Sequence, residues 1–147
     1  MILALALVQA ALPPANALPP PGTVEAAIMA PVNAAFAAIG AKDGAALLAQ
    51  TYPGGSATSV GDGKITRMSW PEMAERFKPG GPRYEEVMFD PAIDVDGDIA
   101  MVWAPYVFRL DGKVHHCGID HFDLVRSDGR WRVLNITWSS RTTACDQ

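Results

Sequence analysis

Residues 114–133 read VHHCGIDHFDLVRSDGRWRV, with three histidines, a cysteine and two aspartates in the first ten positions and an Asp-Gly pair at 128–129. Two readings compete: a metal or catalytic centre, or a polar β-hairpin. Asp-Gly between β-rich stretches is the strongest short hairpin signal, because both central residues of the tight turn need positive φ. On a strand, side chains alternate between faces. His115, Cys117 and His121 then project one way, and His116 and Asp120 the other. One run cannot close a single metal centre, so the hairpin is preferred and no metal is expected.

Outward from this stretch, Asp-Gly pairs also stand at 96–97 and 111–112. The three pairs divide residues 83–141 into RYEEVMFDPAIDV, DIAMVWAPYVFRL, KVHHCGIDHFDLV and RWRVLNITWSS. This predicts a four-stranded antiparallel meander. Two-residue turns place 95 opposite 98, 110 opposite 113 and 127 opposite 130, and that register assigns the faces. One face then carries Met101, Trp103, His116, Asp120, Phe122, Asn135 and Thr137. The other carries Val102, Tyr106, Phe108, Cys117, Ile136 and Trp138. The first face is apolar at one end and polar towards the other, which suits a ligand cavity under helices. The second is largely apolar and needs cover, which a second copy of the sheet would supply. A bulge would exchange the faces locally, and Pro91 and Pro105 are the candidate sites.

Upstream, Val24, Ala27, Ile28, Pro31, Val32, Ala35, Phe36 and Ile39 recur at helical spacing. Thr23 is a candidate N-cap, with Glu25 in the first turn. Pro31 predicts a kink or the true first turn. Gly40 to Gly44 ends this helix, and AALLAQTY predicts a short second one. PGGSATSVGDGK (53–64) reads as loop with at most one short strand. SWPEMAERF (69–77) opens with Ser at an N-cap and Pro71 and Glu72 early, a third short helix. Helices first and sheet after define an α+β class.

The 147 residues make one domain, and 49% hydrophobic content is enough for a core. Net charge is −4, and the twelve basic residues are scattered. That excludes a nucleic-acid partner, whose binding rests on phosphate neutralisation, and an anionic membrane surface. The apolar run Ile2 to Leu12 is too short for a stable membrane span. It matches a signal-peptide core, and Ala15-Asn16-Ala17 fits a cleavage site, although no basic segment precedes it. The expectation is a periplasmic or secreted protein. The alternative is a cytoplasmic one with an apolar N-terminal arm. Residues 1–22 are set apart, and 23–147 form the domain. Export would allow a Cys117–Cys145 disulfide; two free thiols are the other possibility.

GAKDGAAL after the first helix, VWAPYVF (102–108), HCGIDHFDLVR (116–126) and DGRWRV (128–133) together resemble the nuclear transport factor 2-like superfamily, closest to its SnoaL-like and "putative lumazine-binding" branches. The likeness spans roughly 23–147. It implies a conical α+β fold whose curved sheet wraps a pocket, with dimers through the outer sheet face. It imports no catalytic set. Members include isomerases, cyclases, dehydratases and domains without a known reaction, and no acid or base motif transfers residue by residue.

The candidate chemistry is therefore read from the residues. Asp120 beside Trp103 and Phe122 would have a raised pKa and serve as a general base, with His116 as its partner. Asn135 and Thr137 would orient a ligand oxygen, and Met101 would line the wall. DVDGD (94–98) alternates acids as a calcium loop does, but its glycine is fourth rather than sixth, so it reads as a turn. The sequon Asn135-Ile136-Thr137 falls in mid-strand and reads as chance. The first expectation is a small-molecule-binding domain without a cofactor, forming a homodimer. An enzyme transferring protons through Asp120 and His116 is the second. A protein-interaction module is the third.

Overall fold

A computed structural model describes residues 22–145. The signal-like run and its cleavage site lie outside the described residues. Helix α1 (Val24–Ala41) starts where expected: the Thr23 side chain accepts from the Ala26 N–H. It runs through Pro31 rather than beginning there, at the expense of one hydrogen bond that proline cannot donate. Its length and composition would suit a membrane span, but Ile28, Met29, Val32 and Ala35 are buried inside this domain. Lys42 in the left-handed region ends α1, and Asp43 caps α2 (Gly44–Leu48) by accepting from the Ala46 N–H.

Seven strands follow among the described residues, a sheet somewhat larger than the four-stranded meander or slightly larger sheet expected: β1 (Thr51–Gly61), β2 (Lys64–Ser69), β3 (Tyr84–Met88), β4 (Ala92–Asp96), β5 (Ile99–Leu110), β6 (Lys113–Ser127) and β7 (Arg130–Ser139). Helix α3 (Trp70–Ala74) sits between β2 and β3, opened by a capping box between Ser69 and Glu72. The sheet order is β2-β1-β7-β6-β5-β3, with β4 beside β3 on the same edge of β5.

Two departures from the sequence expectation have local causes. The stretch 53–64 is not loop. It holds most of a hairpin whose turn is Asp62-Gly63, a further Asp-Gly pair with both residues at positive φ. Its first strand pairs parallel to β7, so the long connection from 61 to 130 closes the sheet. The stretch 83–95 is two strands rather than one. The chain breaks at Phe89-Asp90-Pro91, where Asp90 takes φ 43° and proline offers no ladder donor.

The register carries the larger correction. Leu110 pairs with Lys113 and Ser127 with Arg130 as expected. The first turn, however, is Gly97-Asp98, and Asp96 pairs with Ile99. Bulges then interrupt β6 at His115, between the Phe108–His116 and Arg109–Val114 pairs, and β7 at Leu134, between Asp123–Asn135 and Leu124–Val133. Neither bulge is at a proline. Each adds one residue, and one residue exchanges the faces beyond it.

The rows facing α1 are consequently Ile93–Val102–Phe122–Ile136 and Ala100–Leu124–Val133. They pack on Ile28, Met29 and Val32 to form the main core, with Trp70 of α3 closing one side. The Trp70 indole N–H donates to the Leu134 carbonyl at 2.9 Å, so the bulge's main-chain group holds α3 to the sheet. On the opposite face, Cys117 is disulfide-bonded to Cys145. The tail lies antiparallel to β6 through a Cys117–Arg141 pair and leaves Cys117 and Val107 buried.

Candidate functional site

Between the helices and the open end of the sheet lies a cavity of about 360 Å³. Helix α1 contributes Phe36 and Ile39, and α3 with the chain after it contributes Met73, Arg76 and Phe77. Strand β3 adds Tyr84 and Glu86, β5 adds Phe108, and β7 adds Ile136 and Trp138. Strand β6 brings His115, His116 and Asp120. The walls are mostly apolar and the acids are few, a composition typical of small-molecule sites.

Asp120 occupies the row Ala104–Asp120–Trp138 on the inner face. It is 1% exposed, and neither carboxyl oxygen is met by an N–H or hydroxyl donor. Its polar neighbour is the carboxyl of Glu86. Burial first, then the Glu86 charge and a hydrogen bond to Glu86, push the Asp120 carboxyl well above the ordinary aspartate range. Burial likewise raises Glu86, to about 8, with the hydrogen bond from Asp120 acting the other way. The two carboxyls act on one another, and the pair holds protons at neutral pH that free carboxyls would have lost. Tyr106, one pleat away, gives no help. Its hydroxyl donates to the Ser139 carbonyl at 2.8 Å, and burial with the two acids raises its pKa.

The bulge at His115 turns two adjacent histidines to one side, contrary to strict alternation, and both line the cavity. Their Nδ1 atoms are 2.8 Å apart, so one donates and the other accepts. His116 stacks on Phe108 with centroids 4.8 Å apart, and burial lowers its pKa, keeping the ring neutral. Among the described residues, no group of three or more His, Cys, Asp or Glu gathers to hold a metal ion.

Of the residues singled out from sequence, the fold brings Asp120 and His116 into the cavity. Phe122 is in the core beneath it, edge-on to Phe36 at 5.7 Å. The other four lie on the opposite face, in the rows Trp103–His121–Thr137 and Met101–Asp123–Asn135. Trp103 is half-exposed against His121, and Thr137 is exposed. Met101 lines a shallow groove with Ile99 and Leu134. Asn135 is committed to structure: it accepts from the Ser56 N–H and hydroxyl and donates to Asp123. Neither Trp103 nor those polar groups can act on Asp120 across the sheet. Glu86 does, and it was missed. Its signal was present in YEEVM, where an acid sits two positions from Tyr84 and Met88 on the face they share.

An α+β cone with a helix-covered cavity defines a class, and comparison with known proteins gives its family. The model of the family described as "Putative lumazine-binding" matches residues 23–139, and the chain belongs to that family, within the nuclear transport factor 2-like superfamily. Among solved structures, a Mycobacterium tuberculosis protein of unknown function is similar, with 22% identity over 78% of this chain and 69% of that one and a TM-score of 0.66. A nuclear transport factor 2-like protein from Cytophaga hutchinsonii shares 13% identity over 81% of this chain and 99% of that one, TM-score 0.69. One from Novosphingobium aromaticivorans, described as having a cystatin-like fold, shares 13% over 80% and 82%, TM-score 0.65. At these identities the likeness is one of fold. No curated protein sequence matches.

Proposed function

We propose that the cavity binds a small, largely apolar organic molecule anchored by Asp120 and Glu86. One observation carries the reading: Asp120 is buried against the cavity with both oxygens unmet, an arrangement that costs stability unless a ligand or a shared proton satisfies it. The family's description as lumazine-binding agrees with a small-molecule role. The test is titration with the neutral dye Nile red, read by fluorescence. Saturable binding is expected, weakened at least tenfold by Met73→Trp, which fills the cavity. Trp103→Glu on the other sheet face leaves it unchanged. Dye binding that responds to Trp103→Glu and ignores Met73→Trp sinks the proposal.

Proton transfer is the second reading, favoured by the carboxyl pair with raised pKa values lining a mostly apolar cavity. Asp120 is the group that gives or takes the proton, Glu86 tunes it, and neutral His116 orients the ligand. The reaction class is proton abstraction beside a carbonyl, or dehydration. Asp120→Asn with unchanged ligand affinity and lost turnover separates this reading from binding alone.

We also propose a homodimer through the outer sheet face, where Ile99 (61% exposed) and Trp103 (49%) stand out from the surface. An exported, oxidising location is proposed from the disulfide.

A further inference from the structure

We propose that this cavity takes a compact organic cation, a quaternary or protonated amine carrying an apolar body, seated with its charge against Asp120 and Glu86. The inference rests on the cavity being a ligand site, and adds the chemical class of the ligand. Two acids share a cavity and, among the described residues, neither forms an ion pair. Arg76, which also lines it, forms no ion pair with either; its charge acts on Glu72. The groups facing Asp120 from its neighbouring elements are Glu86 on β3, Tyr106 on β5, and His116 with its partner His115 on β6 itself. Tyr106 is committed to Ser139, and His116 is held neutral by burial. Helix α1 and strand β7 present Phe36 and Trp138, which carry no charge.

The walls suit a cation as well. Phe36, Phe77, Phe108 and Trp138 line the cavity, and the faces of aromatic rings attract cations within about 6 Å. The protein already makes this contact at the rim, where the Lys42 ammonium lies 4.4 Å from the centre of the Tyr84 ring. An anion here would face two acids with only Arg76 in support. A neutral molecule would leave the rings' electrostatic faces unused.

Protons stand in for the cation when the cavity is empty. When a cation arrives, one carboxyl ionises, one proton leaves for solvent, and the charge of the site balances. Affinity for a permanently charged ligand then rises as pH rises, by up to tenfold per pH unit, until the pair has ionised. Protonated histidines would repel a cation at low pH and act in the same direction, so the measurement stays at pH 6.5 and above.

The probe is benzyltrimethylammonium, whose charge cannot titrate, set against its neutral isostere neopentylbenzene. Calorimetry at pH 6.5 and 8.0, in buffers of different ionisation heat, counts the protons released. Tryptophan fluorescence follows the isostere. The expected result is saturable cation binding, about tenfold or more tighter at pH 8.0, with close to one proton released and the isostere at least tenfold weaker. Glu86→Gln should weaken cation binding at pH 8.0 at least tenfold, since one of the two acids facing the charge is gone. An isostere that binds as tightly as the cation, or cation affinity that ignores pH, overturns the inference while the ligand site stands. Binding of neither probe, together with no cavity-dependent Nile red binding, overturns both. The isostere comparison uses the unaltered chain and does not depend on any variant folding.

Discussion

At the scale of single residues, the Asp120–Glu86 pair links function to stability. Both carboxyls hold their protons more tightly in the folded chain than in the unfolded one. The folded state then binds more protons than the unfolded state above the ordinary carboxylate range, and stability falls as pH rises. For Glu86 the window runs from 4.5 to about 8. The slope is at most about 1.4 kcal/mol per pH unit for each group. His116 works the opposite way: burial keeps it neutral, so its contribution is lost as pH falls below 6.5. Between pH 6.5 and 8 the carboxyl contribution is still present while that of His116 is complete. Thermal melts across that interval should show a melting temperature that declines with pH in the wild type and declines less steeply in Glu86→Gln, where only the buried Asp120 carboxyl remains. An equal decline in both proteins would mean that Glu86 does not hold the proton.

At the scale of elements, single inserted residues decide which side chains meet. The His115 bulge brings Asp120 opposite Ala104, and the Leu134 bulge brings Trp138 opposite Asp120. Between the last ladder pair and the tail, Ile119 donates its N–H to the Ser139 hydroxyl at 2.9 Å. Gly118 sits where a Cβ would collide with the Ser139 carbonyl, so the strand tolerates no side chain there. The tail beyond it is pinned by the Cys117–Cys145 bond across 28 residues. By loop-closure entropy that bond contributes about 3.5 kcal/mol. Cys145→Ser, or reduction, should lower the melting temperature by roughly 10 °C. A shift under about 2 °C would show that the tail stays docked without the bond. The turn chemistry was legible at this scale: Asp111-Gly112 and Asp128-Gly129 have both residues at positive φ, as the pairs predict. The bulges were not legible. Prolines 91 and 105 marked places where a ladder donor is missing, but a bulge needs an extra residue rather than a missing donor. The contact between Trp70 and the Leu134 carbonyl, which helps fix one of them, joins positions 64 apart in the chain.

At the scale of the whole molecule, the two sheet faces have separate duties. The inner face carries the core and the cavity. The outer face shows Ile99, Met101 and Trp103 beside His121, with the disulfide-bonded tail covering its other end. The proposed dimer buries that apolar stretch. Light scattering should give twice the chain mass. Trp103→Glu should shift it to the monomer, since burying an unpaired charge at the centre of such an interface costs about 2 kcal/mol or more. A wild-type monomer at micromolar concentration would instead point to a heterologous partner for this face.

What the sequence determined by itself was local. Helix caps at Thr23 and Ser69, the turns at Asp111-Gly112 and Asp128-Gly129, the α+β order and the strand periodicity all depend on residues within a few positions of one another. The hairpin at Asp62-Gly63 carries the same local turn signal. Tertiary structure decided which face of each strand is inside, the parallel pairing of β1 with β7 and the meeting of Glu86 with Asp120. Those depend on bulges and on contacts between distant segments. Because side-chain direction alternates with every residue, a single inserted residue reverses it, and composition and spacing alone do not record which strand carries the insertion.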